Sequence, residues 1–293
     1  MENTVEVSRI SKSFNGKFVV NEISFDILPG EIFGLIGPNG SGKTTIIRML
    51  LDIMRPDSGM IRMRDSKLSE EMKDKIGYLP EERGLYRKLT VMDTLMYLSA
   101  LKNKPNKERA EELLEIMGML SHKDKKISEL SKGMQQKIQI IAAIIHDPDI
   151  IILDEPFSGL DPVNMKLVQD MMLDLKKEGK TILISTHMMD KVEHMCDRIF
   201  MIHRGAMVLY GSMEEIKARY RKNTIFLEYE GELKRIQGIK KINDSGKYAE
   251  MVLDEGADAR QVLRTLLDEV RVNKFEIAAP SLNEIFIELA EGI

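Results

Sequence analysis

Apolar residues alternate at Val5, Val7 and Ile10, and again at Val19, Ile23, Phe25 and Ile27, as in strands with one buried face. Pro29-Gly30 marks the turn that ends them, so the N-terminus predicts a small antiparallel sheet. The pattern then changes. Ile32 to Gly37 is a short apolar run fit for a buried strand, and it leads through a Gly/Pro/Asn loop into Thr44 to Leu51, which has helical spacing. Strand, glycine loop and helix in that order open a parallel α/β sheet. A further strand is read at Ile76 to Pro80. Helical periodicity covers Val91 to Leu101, Lys107 to Met117 and Lys132 to Ile145. Strand character returns at Ile150 to Leu153, Thr181 to Ser185 and Arg198 to Ile202, and a turn around His203-Arg204-Gly205 joins the last to Ala206 to Leu209. The expectation is an α/β core with a helical block, about residues 80–146, inserted into it.

The charged stretch Lys217 to Asn223 marks a boundary, dividing the chain into domains of residues 1–220 and 221–293. Beyond it come a strand (Thr224 to Tyr229), a short helix or turn, strands at Lys240 to Asn243 and Tyr248 to Leu253, a helix (Asp258 to Val270), a strand (Asn273 to Ala278) and a helix (Ser281 to Ala290). A β-α-β-β-α-β order suits a small ferredoxin-like α+β unit.

Composition narrows the classes. Hydrophobic residues make up 43% and charged residues 31%, which is ordinary for a globular chain and wrong for a disordered one. The 43 basic and 47 acidic side chains give a net charge of −4, which argues against a nucleic-acid partner held by bulk electrostatics. The single cysteine, Cys196, can form neither an internal disulfide nor a zinc cluster, so the chain fits a reducing cytosol and Cys196 reads as a small buried hydrophobe. Met1 to Glu6 lack the basic start and apolar core of a signal peptide, and no apolar run nears the roughly 18 residues a membrane span needs. Any membrane role is expected to come through a partner.

Gly37-Pro38-Asn39-Gly40-Ser41-Gly42-Lys43-Thr44 fits the phosphate-loop pattern G-x-x-x-x-G-K-[ST], with Thr45 next in the helix. Glycines let backbone N–H groups turn inward around phosphate oxygens, and the following helix points its positive end at them. Lys43 can reach the β- and γ-phosphates of ATP, and the Thr44 hydroxyl can ligate Mg²⁺. Ile150 to Glu155 is an apolar strand ending in two carboxylates. Asp154 is placed to hold Mg²⁺ at the carboxyl end of the strand, while Glu155, read as pointing the other way along the pleat, could polarise an attacking water.

Leu130-Ser131-Lys132-Gly133-Met134-Gln135-Gln136 resembles the signature loop L-S-G-G-Q of ATP-binding-cassette (ABC) ATPases, 20 residues upstream of Ile150. Ser158-Gly159-Leu160-Asp161 matches that family's D-loop, and Ser185-Thr186-His187 its switch histidine. The tail from Pro280 to Glu288 resembles the accessory domain of bacterial sodium-exporter-type ABC ATPases. The resemblance implies a P-loop NTPase fold in which two subunits, paired as an ATP-dependent homodimer, sandwich two ATPs head to tail. Phe14 would stack on adenine. Ser131 and Gly133 would hold the γ-phosphate of the facing subunit, Asp161 would reach across, and His187 would contact that phosphate and the water held by Glu155. The motion would drive separately encoded permease subunits from the cytoplasmic face of the membrane, in the export direction, with the tail serving dimer contact or regulation.

Three departures stand out. Glu81 occupies the place of a glutamine that offers a neutral oxygen to Mg²⁺, and is expected to be a conditional Mg²⁺ ligand; alternatively Arg83, or Lys132 of a second copy, would offset its charge. Lys132 and Met134 replace a small residue and a glutamine in the signature loop. Two alternatives stay open: a soluble ABC protein of the translation or DNA-repair kind, and an ATP-sensing subunit that binds without turnover.

Overall fold

β1 (Val5–Phe14) and β2 (Lys17–Ile27) pair antiparallel across the two-residue turn Asn15-Gly16, whose φ angles of +51° and +77° suit a twisted hairpin. β3 (Ile32–Ile36) is buried at every position and leads into α1 (Lys43–Leu50). β4 (Ser58–Met63) has no counterpart in the sequence reading. It is mostly exposed, so its residues show no alternation, and it is a strand because it pairs with β1 to complete a β2-β1-β4 sheet. After α2 (Glu70–Lys73) and β5 (Ile76–Leu79) come the inserted helices α3 (Val91–Ala100), α4 (Lys107–Ile116) and α5 (Lys132–Ile144). Each starts at a polar N-cap, Thr90, Asn106 and Ser131, whose side-chain oxygen accepts a backbone N–H three residues on.

β6 (Ile150–Asp154), α6 (Pro162–Lys177), β7 (Thr181–Thr186), α7 (Met189–Val192), β8 (Arg198–His203) and β9 (Ala206–Ser212) complete the first unit. Its large sheet has the order β5-β6-β7-β3-β8-β9, parallel except for the last pair. β3, β6 and β7 are buried along their whole length, as parallel strands covered on both faces must be, which is why they read as unbroken apolar runs. Arg198 on β8 donates to Asp26 on β2 at 2.9 Å and ties the two sheets together. Cys196 is buried, its thiol pushed upward by desolvation.

The computed structural model describes residues 3–64, 68–82, 84–220, 224–234, 236–254, 256–277 and 280–290. Two compact units emerge, dividing at Met213/Glu214 rather than at the 220/221 boundary read from the charge run, of which residues 221–223 lie outside the described residues. The second unit begins with α8 (Met213–Arg219) and continues through β10 (Thr224–Glu230), β11 (Ile239–Asp244), β12 (Tyr248–Leu253), α9 (Ala259–Glu269), β13 (Arg271–Ile277) and α10 (Leu282–Ala290). The sheet order is β11-β12-β10-β13, all neighbours antiparallel, with α9 packed on one face through Val262 and Leu266. Between β10 and β11 the described residues form no helix. Gly231 and Gly238 both take positive φ, and buried Ile236 pins the connection to the core, so the turn alternative holds and the β-α-β-β-α-β order does not.

Each unit has its own apolar core. A chain ending at Tyr220 should therefore bind ATP with an affinity within about twofold of the full chain, measured by fluorescent-nucleotide titration. Loss of binding by a folded truncation would show that the tail builds the site.

Candidate functional site

The parallel order β6-β7-β3 places the ends of three strands side by side. In register, Asp154 lies opposite Ser185, Leu35 opposite Ser185, and Ile36 opposite Thr186. The phosphate loop leaves β3, the carboxylates end β6, and His187 follows β7. This is the carboxyl edge where open α/β sheets bind ligands.

The loop needs its glycines. Gly42 caps α1 at φ +117°, and a Cβ there would lie 2.6 Å from the Val19 carbonyl oxygen; one on Gly37 would lie 2.2 Å from that of Ile202. Gly42 offers no side-chain cap, so the first N–H groups of α1 stay available to an anion. Lys43 is buried, and its Nζ donates to the carbonyls of Gly37 at 2.8 Å and Pro38 at 3.2 Å, and lies 3.5 Å from Glu155 Oε1. These contacts hold the ammonium over a cavity of about 150 Å³ lined by Asn39, Gly40, Thr44, Thr45, Glu81 and Glu155, among others.

Glu155 does not follow the pleat. It takes φ +50°, in the left-handed region that a bulky residue seldom adopts, and its side chain lines the cavity. Thr186 Oγ1 donates to Glu155 Oε2 at 3.1 Å, and His187 Nδ1 lies 3.0 Å from both carboxylate oxygens. A carboxylate only accepts, so Nδ1 carries the hydrogen and Nε2 is left for another partner.

Asp154 Oδ1 accepts from Ser185, while Oδ2 is buried with no hydrogen-bond partner, as is Ser41 Oγ in the loop. Burial pushes the Asp154 carboxyl above its ordinary range, with Glu81 and Glu155 adding to the effect and the Ser185 hydrogen bond and the neighbouring Thr44 hydroxyl opposing it. The one hydrogen of Thr44 Oγ1 is donated to Glu81 Oε2 at 3.4 Å. A buried, unpaired carboxylate oxygen beside a hydroxyl and a second carboxylate suits a hard divalent cation such as Mg²⁺, which takes one or two carboxylates and completes its shell from phosphates and water. Among the described residues no group of three or more His, Cys, Asp or Glu side chains could hold a metal by itself. Arg83 lies outside the described residues.

The other expected contacts lie elsewhere: Phe14, Ser131, Gly133 and Asp161 are absent from the cavity lining. Phe14 ends β1 half-exposed, with Lys12 Nζ 5.9 Å from its ring centroid. Asp57 fixes this strand end by accepting from Lys12 and Ser13, bonds that pull its pKa down to about 2. Ser131 and Asp161 are the N-caps of α5 and α6. A Cβ on Gly133 would lie 3.0 Å from the Gly159 carbonyl oxygen, so the signature loop and the D-loop pack directly together.

Residues 20–158 match the ABC transporter family pattern, and residues 211–290 match the C-terminal domain of DrrA1-3-like ATP-binding proteins. The chain is 38% identical to the uncharacterised ABC transporter ATP-binding protein YhaQ of Bacillus subtilis, over 96% of this chain and 97% of that one. It is 32% identical to the linearmycin resistance ATP-binding protein LnrL of the same organism, covering 97% of each. The chain is an ABC transporter ATP-binding subunit. A solved ATP-binding subunit of an ABC transporter, 29% identical, superposes with a TM-score of 0.67 over 74% of this chain and 93% of that one. No helix among the described residues is long and apolar enough to cross a membrane.

Sequence reading passed over Ser185 and Thr186 as part of a motif, yet they are the groups that hold Asp154 and Glu155. The available signal was two hydroxyls directly after the apolar run Ile182 to Ile184.

Asp154 carries its charge at a cost to the fold. Because its folded pKa is raised, the penalty is absent below the unfolded value of about 3.8 and grows as pH rises through the folded value. Asp154→Asn, without nucleotide or Mg²⁺, should melt about 2–4 °C higher at pH 7, the shift ~1 kcal/mol gives a chain of this size. The gain should vanish near pH 4. An equal or lower melting temperature at pH 7 would show that the carboxylate is well compensated.

Proposed function

We propose that this ATP-binding subunit hydrolyses ATP with Mg²⁺ and that the turnover drives a separate membrane permease in the export direction. The observation that supports hydrolysis most directly is Glu155, turned off its strand and set between Lys43 and His187. Lys43, the loop N–H groups and the N-terminus of α1 bind and orient the phosphates. Glu155 accepts the proton of the attacking water, and Thr186 and His187 hold its carboxylate in place. His187, its Nδ1–H committed to Glu155, directs Nε2 toward the water or the γ-phosphate. Thr44, Asp154 and, conditionally, Glu81 would hold Mg²⁺, which when bound neutralises the developing phosphate charge. Ser131, Gly133 and Asp161, remote from the chain's own cavity lining, serve the site of a second copy in an ATP-dependent homodimer. Phe14 carries the adenine. The catalytic set is thus Glu155, His187 and Lys43.

Export is supported by LnrL, a relative along almost the full length whose name carries linearmycin resistance. With no helix able to span a membrane among the described residues, attachment to the cytoplasmic face runs through the permease. A net charge of −4 supports a function without nucleic acid. The accessory unit serves dimer contact or regulation.

Glu155→Gln should bind MgATP as the wild type does but release phosphate about 10²–10⁴-fold more slowly, as loss of a general base commonly costs. With MgATP it should elute as a dimer in size-exclusion chromatography. A variant that turns over at the wild-type rate would remove Glu155 from the mechanism. Glu81→Gln should shift the Mg²⁺ concentration giving half-maximal phosphate release in the presence of the permease. Superimposable Mg²⁺ curves would leave Glu81 without a metal role.

A further inference from the structure

Lys137 is a buried cation with no place in the chemistry above, 8% exposed in the middle of α5. No carboxylate lies in salt-bridge range of it among the described residues; its Nζ donates to the Met117 carbonyl at 2.8 Å and to Asn164 Oδ1 at 3.1 Å. Keeping an ammonium out of water is expensive unless its donors are well used, and burial does lower the Lys137 pKa, with the charge of Asp161 opposing. A methionine would fill the same space without that cost, so two hydrogen bonds to neutral groups are a weak stability argument for a lysine.

What the lysine does supply is a link. Asn164 sits in the first turn of α6 and uses its remaining donors on Asp161: its backbone N at 2.9 Å to Oδ1 and its Nδ2 at 2.6 Å to Oδ2. Those two bonds hold the Asp161 carboxyl below the usual carboxylate range. Because Nδ2 faces Asp161, Oδ1 must face Lys137, so the lysine fixes the orientation of the amide and through it the Asp161 side chain. One residue earlier on α5, Gln136 Nε2 donates to the carbonyl of Pro156, the neighbour of Glu155, at 3.1 Å. The helix capped by Ser131 is thereby bonded to both ends of the segment running from Pro156 to Asn164.

We infer that Lys137 is a positioning residue that, through Asn164, locks Asp161 to the signature helix so that Ser131, Gly133 and Asp161 meet the nucleotide as one preformed surface. The inference rests on the proposed function, in which these three residues act on ATP bound to a second copy. Lys137 is not among the residues that line the phosphate-loop cavity. Its loss therefore leaves the chain's own phosphate loop intact and blurs the surface offered to the other copy, where a misplacement near 1 Å is costly.

The test compares full-length Lys137→Met and Asn164→Asp with the wild type. Asn164→Asp keeps an oxygen for Lys137, and so satisfies the buried amine, but loses the N–H that grips Asp161. Both variants should cut kcat for phosphate release about 10- to 100-fold, while the dissociation constant for a fluorescent ATP analogue on the monomer stays within about twofold. In a Glu155→Gln background, each should raise the MgATP needed for dimer formation. A wild-type kcat in Asn164→Asp would show that Lys137 needs only a partner, and the assignment fails. Parallel losses in nucleotide affinity and kcat would place the defect in the chain's own site and overturn it equally. If Lys137→Met does not fold, Asn164→Asp alone decides. A wild-type chain that releases no phosphate would sink the ATPase reading itself, and this assignment with it.

Discussion

The β6-β7-β3 ladder is the constraint on which the rest of the molecule depends. Its hydrogen bonds run in parallel register and bring Leu153, Ile184 and Leu35 to nearly the same level, so three loops leave the sheet together. A one-residue slip in either pairing would turn the side chains of the moving strand to the opposite face. The slip is prevented by burial, since every position of the three strands is covered on both sides. The geometry of these strand ends is thus fixed by apolar packing.

At the end of that ladder the site accumulates unfavourable features. Asp154 holds a charge that burial resists, with one oxygen unpaired. Glu155 occupies a strained backbone conformation. Ser41 has a buried hydroxyl without a partner. In a core these would be defects, each costing on the order of 1–3 kcal/mol. Gathered beside a phosphate loop, they are the groups that the proposed function would pair with a cation and phosphate oxygens. Ser185 and Thr186 keep the arrangement from relaxing by holding a carboxylate each.

The inserted helices solve a different problem. They carry Ser131 and Gly133 away from the chain's own cavity, yet α5 stays bonded to the segment after Glu155 through Gln136 and Lys137. In the proposed function these are two separate half-sites, one to cradle phosphates and one to face a second copy. A tight carbonyl contact between Gly133 and Gly159 explains why small residues are required where the loops meet.

The sequence by itself determined the local chemistry. Gly37 to Thr44, Asp154 and Glu155 could be named from local pattern, because a phosphate loop and an apolar strand ending in acids are short-range signals, while Ser131 and His187 were named through the family resemblance. The two-layer plan and the inserted helices were equally legible, since period-two and helical spacings are short-range. What depends on non-local pairing was not. β4 shows no alternation because it lies exposed beside β1, and the connection from Gly231 to Gly238 turns instead of coiling because Ile236 is drawn into a core built by distant residues. The left-handed backbone of Glu155 was not legible either: alternation describes a residue only while a strand continues, and the strand ends one residue earlier. Only the tertiary structure decided that Glu155 lies between Lys43 and His187, because strand order and register are set by pairing between segments far apart in the chain.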